Sequence, residues 1–186
     1  MEGESISQNL DLANYFVTPD NKHRWQGDVY STTDFNIATD TPTFNNIKYW
    51  MLMNRTCQLV EGNGREVKIP RLVYCPVIEL EQFFGVGKVS KNKLSHLLSG
   101  KADSAAFLPA GTPQFPTEAV VDFGAVTAFN LSECPAADKK KVQLASPYNE
   151  YLMQRFAQYY VTVGYDDGPL RDDNYIKGLV AKYSKE

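Results

Sequence analysis

The first half of the chain alternates short apolar runs with turn-forming segments. Short runs rich in β-branched and aromatic residues are typical of strands, and three of them stand at "GDVYST", at residues 47–53 and at residues 67–77. The segment "EGNGRE" joins the last two, and its glycines tolerate positive φ. The pattern predicts a β-hairpin there, preceded by a long loop at "DFNIATDTPTFNN", which is rich in residues that favour turns.

A short helix is predicted after the hairpin. Ser90 is a suitable N-cap residue, since its hydroxyl can accept from a backbone N–H of the first turn. Leu94, Leu97 and Leu98 share one face at helical spacing, and Gly100 marks the end.

A longer helix is predicted near the C-terminus. Ser146 is its N-cap, Pro147 fills the first helical position, Glu150 suits the positive end of the helix dipole, and Gly164 ends it. Apolar residues recur along one side at helical spacing: Tyr148, Tyr151, Leu152, Phe156, Tyr159, Tyr160 and Val163. We interpret this aromatic stripe as core rather than as a cofactor site. The residues after Asp172 predict a further short helix.

The order of elements predicts an α+β fold. Further strands are expected at "AAFLPAG" and "EAVVDFGAVTAFNL", with Gly124 at the break between two of them. Strands that must avoid open edges commonly curl into a small barrel, and we expect one here with an inserted helix and a C-terminal aromatic-rich helix. A length of 186 residues suits a single domain over 1–186, with about 1–13 and 184–186 frayed.

Charge and cysteine content narrow the function classes. The net charge of −3 argues against a protein that coats nucleic acid. A local excess nevertheless exists, because residues 48–93 hold 8 basic and 4 acidic side chains. The three cysteines lack a C-x-x-C arrangement, and the N-terminus has no apolar signal-peptide core. We therefore expect free thiols, no membrane span and a cytoplasmic location.

The most apolar strand runs into a polar cluster, and two interpretations of that cluster stay open. The cluster is either a functional site at a strand end or the solvent-exposed face of a hairpin. In the second case its side chains form hydrogen bonds with neighbouring loops. Lysine, arginine and nearby aromatic residues are what single-stranded RNA requires for phosphate contact and stacking. The candidate residues for binding RNA or a partner are Lys48, Asn54, Arg55, Thr56, Cys57, Gln58, Arg65, Lys68 and Arg71.

Other kinds of chemistry find little support in the sequence. Nucleophilic catalysis by Cys57 needs a base, and His23 and His96 are the only histidines. Neither has a motif around it, so a thiol hydrolase ranks third among the hypotheses. No metal-ligand spacing and no phosphate-binding glycine loop occur, which predicts neither a metal nor a cofactor.

Beside this interpretation from the residues stands a resemblance to a known group. The segments "IKYWMLMNRTCQLVEG", "FLPAG", "VVDFGAVTAF" and "ASPYNEYLMQRFAQYYVTVG" resemble, in the same order, uncharacterised bacterial and phage-associated proteins with an "SQTCDLV" strand end. The usual Asp of that strand end is Gln58 here, which cannot ionise. The group is in turn distantly similar to the PemK/MazF toxin fold, which implies an SH3-like β-barrel of the toxin-antitoxin kind.

The toxin enzymes cut RNA, but their catalytic residues are not matched. The position of their arginine falls on Lys48, and the position of their threonine falls on Arg71. The resemblance therefore implies an RNA-binding protein or a degenerate endoribonuclease-like toxin, with RNA or an antitoxin-like protein as partner; a homodimer stays open. The alternative is a non-enzymatic interaction module of a phage or defence-associated operon. For RNA contact we expect Lys48, Arg55 and Arg71 to meet in one concavity.

Overall fold

The computed structural model describes residues 14–37, 47–55, 59, 69–102 and 104–162, and the structural statements below concern these residues. They contain three helices, α1 (Leu80–Phe84), α2 (Lys91–Leu98) and α3 (Tyr148–Thr162). The eight strands are β1 (Phe16–Val17), β2 (Val29–Ser31), β3 (Tyr49–Leu52), β4 (Arg71–Glu79), β5 (Ala105–Leu108), β6 (Ala119–Asp122), β7 (Thr127–Asn130) and β8 (Gln143–Leu144).

The main sheet is antiparallel and has the strand order β2-β3-β4-β6-β5. The long strand β4 carries two partners on the edge opposite β3, because β7 pairs with its first half and β6 with its second half. A single turn of 3-10 helix, Phe123–Ala125, separates those two partners, and the Asp122 carboxylate accepts a hydrogen bond from Gly124 N within it. The predicted break at Gly124 is confirmed.

A second, two-stranded sheet of β1 and β8 extends the main sheet, and we call the two sheets together the strip. Val29 N donates to Val142 O at 3.0 Å and Lys141 N donates to Val29 O at 2.7 Å, so the segment before β8 lies against β2. At the far margin, the Tyr15 hydroxyl donates to the Phe107 carbonyl of β5 at 3.3 Å. The strip thus curls until its two margins approach each other.

The mixed α+β fold is confirmed, but a closed barrel is not. A barrel needs a continuous ladder around its circumference, and among the described residues β1 and β5 are linked by a side-chain hydrogen bond instead of backbone pairing. The strand β1 has only two residues, which is too short to complete such a ladder. The predicted SH3-like barrel therefore remains a prediction.

Strand β3 is buried on both faces, which explains its unbroken apolar run. Tyr49 and Met51 contribute to the large core beneath α3. Trp50 and Leu52 point the other way into a second cluster with Phe129. Because side chains alternate along a strand, two cores on opposite faces require apolar residues at every position. Trp50 is fully buried, so it belongs to the core and is not a stacking face for RNA.

The two predicted helices are confirmed within the described residues. The Ser90 hydroxyl accepts from Lys93 N at the start of α2, and Gly100 takes a φ of 74° after its end. Helix α3 buries Leu152 and packs Phe156 against the large core. Its aromatic stripe is only partly core, because Tyr151 is 50% exposed. The helix predicted after Asp172 lies outside the described residues.

Among the described residues, no helix combines the length and the apolar character that crossing a bilayer demands. The cytoplasmic location stays a prediction. The single domain over 1–186 also stays a prediction, since the two ends of the chain lie outside the described ranges.

Candidate functional site

The register of β3 against β4 decides where the predicted cations lie. Tyr49 pairs with Val77 and Leu52 pairs with Tyr74, and Met53 N continues the pairing by donating to Val73 O at 2.9 Å. Arg55, which follows β3, and Arg71, which opens β4, therefore lie at the same end of the hairpin. Lys48 precedes β3 at the opposite end. A strand rises about 3.3 Å per residue, which separates Lys48 from Arg55 by roughly 20 Å along the ladder.

Lys48 is engaged at its own end of the hairpin. Its Nζ lies 3.1 Å from Glu79 Oε1, and the hydrogen bond to Glu79 is the main cause that raises the pKa of Lys48. Glu81 and Glu118 line the same shallow pocket as Glu79. The expectation that Lys48, Arg55 and Arg71 meet in one concavity is wrong for Lys48, because the antiparallel register carries it to the far end.

Asn54 has a structural role that the sequence left open. Its Oδ1 accepts a hydrogen bond from Val73 N at 2.6 Å. The side chain therefore takes the place of a ladder carbonyl just where β3 ends, which satisfies a backbone donor that strand pairing leaves free. The other residues of the predicted patch, Thr56, Cys57, Gln58, Arg65 and Lys68, lie outside the described residues.

Arg55 opens onto a groove between the end of β3 and helix α3, which we call the strand-end groove. Its volume is about 780 Å³. The residues that line it are Gln26, Met53, Arg55, Asn149, Glu150, Met153, Gln154, Phe156, Ala157 and Tyr160. Grooves of this size accommodate small ligands or one or two nucleotide units. The chain thus places one predicted cation beside a helix face that carries amides and aromatic rings.

The groove offers polar groups with fixed positions. Gln26 Nε2 donates to Met53 O at 3.0 Å, which ties the side chain to the end of β3. Asn149 Oδ1 is buried and has no hydrogen-bond partner among the described residues. The Tyr160 hydroxyl donates to Phe123 O at 2.9 Å, which fixes a ring that is 46% exposed. An amide acceptor and an aromatic face are therefore held in place beside Arg55.

Of the groove residues on α3, the sequence predicted Phe156 and Tyr160 as core and did not single out Asn149, Met153, Gln154 and Ala157. Asn149, Met153 and Ala157 follow one another at a spacing of four, and so do Glu150 and Gln154. Side chains at that spacing share a helix face. The polar half of the predicted helix was therefore a detectable signal, but nothing in the sequence indicated that this half faces Arg55.

A second polar cluster is closed to solvent, and we call it the buried ion pair. Lys140 Nζ lies 2.8 Å from Asp28 Oδ2, and neither side chain is exposed. Trp25 N and the Tyr30 hydroxyl also donate to Asp28 Oδ2, and Lys140 donates to His23 O at 2.7 Å. Burial raises the pKa of Asp28 to about 6, although the hydrogen bond from Lys140 acts in the other direction.

The buried ion pair links distant parts of the chain. Asp28 immediately precedes β2, and Lys140 precedes β8, so the pair fastens the second sheet to the main one. Asp28 Oδ1 is buried without a hydrogen-bond partner among the described residues. With no exposed atom in either side chain, this cluster suits a structural role more than contact with a macromolecule.

The described residues contain no site suited to thiol or metal chemistry. Burial raises the pKa of the Cys75 thiol, and burial likewise raises the pKa of Cys134. His23 Nδ1 lies 3.0 Å from Asp20 Oδ2, while His96 is exposed on α2. The described residues contain no group of three potential metal ligands. The pairing of Cys57 with a histidine is untested, since Cys57 lies outside them.

Comparison with known proteins gives no family for this chain. No protein-family model matches the chain, and no curated protein sequence matches it. The relation to the phage-associated group and to the PemK/MazF toxins is therefore still a prediction. The function has to be argued from the groove itself.

Proposed function

We propose that the protein binds single-stranded RNA in the strand-end groove. The observation that carries the proposal is the position of Arg55 beside the amides and aromatic rings of α3 that line the groove. Single-stranded RNA is recognised by stacking of splayed bases on aromatic side chains, with hydrogen bonds to base edges and cations for the phosphates. One groove here holds all three kinds of group.

Each group has a role set by its chemistry. The exposed ring of Tyr160 and the neighbouring Phe156 offer stacking faces. The exposed Gln154 amide can pair with base edges, which present both donors and acceptors. Arg55 is the phosphate partner, and Arg71 at the same hairpin end adds a second positive charge.

An acidic residue limits the course of the RNA. Glu150 lines the groove and repels phosphate. The phosphate backbone would therefore follow the Arg55 side of the groove, with the bases directed toward α3. The net charge of −3 fits a short site of this kind better than an extended basic surface.

We propose binding without cleavage. The two positions that align with the toxin catalytic residues, Lys48 and Arg71, lie at opposite ends of the β3–β4 ladder. They cannot stabilise the same phosphate across roughly 20 Å, since charge stabilisation in a transition state requires hydrogen-bond contact. The curled strip is compatible with a distant relation to the SH3-like barrel of PemK/MazF proteins, which we keep as part of the proposal.

The test is an RNA-binding titration with matched variants. Fluorescence anisotropy of a short labelled RNA of mixed sequence should give saturable binding that weakens as salt increases. Arg55→Ala combined with Arg71→Ala should weaken the affinity about tenfold or more and lower the salt slope by roughly one for each lost phosphate contact. Lys48→Ala is the control for each single arginine variant, because it removes one positive charge from the other end of the hairpin.

A second pair of variants separates stacking from charge. Tyr160→Ala should weaken binding about tenfold through the loss of a stacking face, whereas Tyr160→Phe keeps the ring and should bind nearly as well. Equal losses for Lys48→Ala and the arginine variants, or no measurable binding of RNA by the unaltered protein, would refute the proposal. Loss of intact RNA during the titration would instead restore the nuclease hypothesis.

A second candidate function is the interaction module, and one observation favours it. Large apolar side chains are exposed around α1 and α2: Val86 is 81% exposed, and Val89 and Leu98 are also exposed. Exposed apolar patches commonly mark contacts with another protein. A stable complex with the product of a neighbouring gene that is weakened by Val86→Ser, together with absent RNA binding, would favour this function over the first.

A further inference from the structure

An apolar cavity lies on a different flank of α3 from the strand-end groove, between α3, α2 and β5. Its volume is about 380 Å³, within the range of pockets that hold small molecules. The residues that line it are Tyr15, Leu97, Leu98, Ala106, Phe107, Tyr148, Tyr151, Leu152 and Arg155. All of them except Arg155 present aliphatic or aromatic surface, so the cavity favours an apolar ligand.

Arg155 is the exception, and its charge has no counterion among the described residues. The side chain is buried, with 9% of its surface exposed. Its Nη2 donates to Gly100 O at 3.2 Å and to Ala102 O at 2.6 Å. Both acceptors are neutral carbonyls, and the ion pairs of the described residues do not include Arg155. These carbonyls follow the C-terminal end of α2 and stabilise the cation in part, but a buried guanidinium gains more from an anion that neutralises its charge.

The turn at Gly100 lies against the Arg155 guanidinium, next to the cavity that Arg155 lines. Gly100 has a φ of +74°, and a Cβ there would lie 2.9 Å from the Tyr151 hydroxyl and 3.6 Å from Arg155 Cζ. Only glycine lets α3 approach this turn so closely. Both described hydrogen bonds of Arg155 come from Nη2, and the planar guanidinium has further N–H donors for a carboxylate.

We propose that this cavity binds a small hydrophobic carboxylate, with its apolar part among Leu97, Ala106 and Leu152 and its carboxylate paired with Arg155. The apolar walls account for the hydrophobic part of the ligand. The buried guanidinium accounts for the anionic part, because a bidentate pair with a carboxylate would neutralise a charge that has no counterion among the described residues. This site is independent of the proposed RNA groove.

The test is calorimetric titration of the full chain with a matched pair of probes, 4-phenylbutyrate and 4-phenylbutanamide. The two molecules share size and shape and differ in charge. We expect the carboxylate to bind and the amide to bind at least about tenfold more weakly, since a charged hydrogen-bonded pair contributes more than a neutral one. Methyl resonances of Leu97 and Ala106 should shift on binding, while the Met53 methyl in the strand-end groove should not.

Variants then assign the charge to Arg155. Arg155→Met keeps much of the side-chain volume and should abolish the preference for the carboxylate over the amide. Lys101→Met is the matched control, because it removes an exposed cation from the same turn and should leave that preference intact. If Arg155→Met fails to fold, Leu98→Trp at the exposed rim serves instead and should weaken both probes by obstructing the cavity.

One rival explanation concerns Asp103, which follows Ala102 and lies outside the described residues. If Asp103 were the counterion of Arg155, Asp103→Asn would lower stability as much as Arg155→Met, and the proposal would fail. Retained stability and retained carboxylate binding in Asp103→Asn support it. Equal affinity for the two probes, or no binding of either one, would also overturn the proposal.

Discussion

Two polar clusters flank Gly27, and they differ in whether their charged side chains are paired within the protein. Asp28, on one side, belongs to the buried ion pair, where its carboxylate contacts Lys140 in a site without exposed side-chain atoms. Gln26, on the other side, lines the strand-end groove with Arg55 and Asn149. The first cluster binds the chain to itself, whereas the second presents the Arg55 charge to solvent. Similar residue types thus serve stability in one place and recognition in the other.

The contrast shows that pairing and burial indicate a role better than residue type does. The Asp28 carboxylate accepts from a lysine, a backbone N–H and a hydroxyl. Arg55, by comparison, is exposed next to an open groove. Substitutions in the two clusters should therefore change different observables, folding stability in the first case and ligand affinity in the second.

The largest effect is expected for Asp28→Leu. Removing the carboxyl group leaves the Lys140 ammonium, Trp25 N and the Tyr30 hydroxyl buried without their shared acceptor, which typically costs about 3–5 kcal/mol of unfolding free energy. Chemical denaturation measures this directly. Glu79→Gln breaks the exposed pair with Lys48 and is the matched control, with an expected cost below about 1 kcal/mol. Similar costs for both variants would contradict the structural role assigned to the buried ion pair.

Gly27→Ala should come next. Gly27 has a φ of +86°, and a Cβ there would lie 2.5 Å from Asn149 Oδ1, so strain and a clash combine. We expect a loss of at least about 2 kcal/mol in unfolding free energy. Gly87→Ala isolates the backbone part, because Gly87 has a φ of +69° and nothing within 4 Å of the added Cβ. A cost for Gly27→Ala no larger than that for Gly87→Ala would exclude the clash.

A smaller effect should appear in the dependence of stability on pH. The pKa of Asp28 is raised from 3.8 to about 6 in the folded chain, so the native state binds a proton that the unfolded state has released. This contribution to stability is complete below about pH 4 and is lost as the pH rises through about 6.

The measurement compares the wild type with the double variant Asp28→Leu, Lys140→Met, which lacks the titrating group. The stability of the wild type relative to the double variant should fall by about 1 kcal/mol between about pH 5 and pH 7. The comparison cancels the titration of other carboxylates such as Asp20, whose pKa is lowered mainly by its hydrogen bond to His23. A relative stability that rises over this range would show that the pKa of Asp28 is depressed.

The smallest change in stability is expected for Arg55→Ala. Because Arg55 is exposed and lies at the rim of a groove, its loss should alter the unfolding free energy by no more than about 0.5 kcal/mol. The same variant is part of the RNA-binding test, where its effect should be large. Thermal unfolding followed by circular dichroism checks the first half of this statement, and a destabilised variant would show that Arg55 supports the fold instead.

Local signals in the sequence predicted much of the fold. The short runs of β-branched and aromatic residues in 47–53 and 67–77 predicted β3 and β4 as a hairpin, the Ser90 cap and Gly100 predicted α2, and Gly124 predicted the break between β6 and β7. These features depend on residues close together in the chain. Two-residue strands such as β1 and β8 were missed, because they form only through pairing across more than a hundred residues.

The candidate site was less predictable for the same reason. Counting charges in residues 48–93 found the basic excess, but the register of the hairpin determines that Arg55 and Arg71 share an end while Lys48 does not. Lys140 is one of three consecutive lysines, a pattern that normally indicates a solvated surface. Its burial depends on Asp28, a residue that sequence proximity could not connect to it.

Cys75 in strand β4 is protected from chemical modification by its burial. Cys75 lies between β3 and β6 with its thiol fully enclosed, and burial raises the pKa of that thiol. Alkylation requires both thiolate formation and access, so iodoacetamide should reach this sulfur only when the central strands separate. The rate at which Cys75 is labelled would therefore report how often the sheet opens.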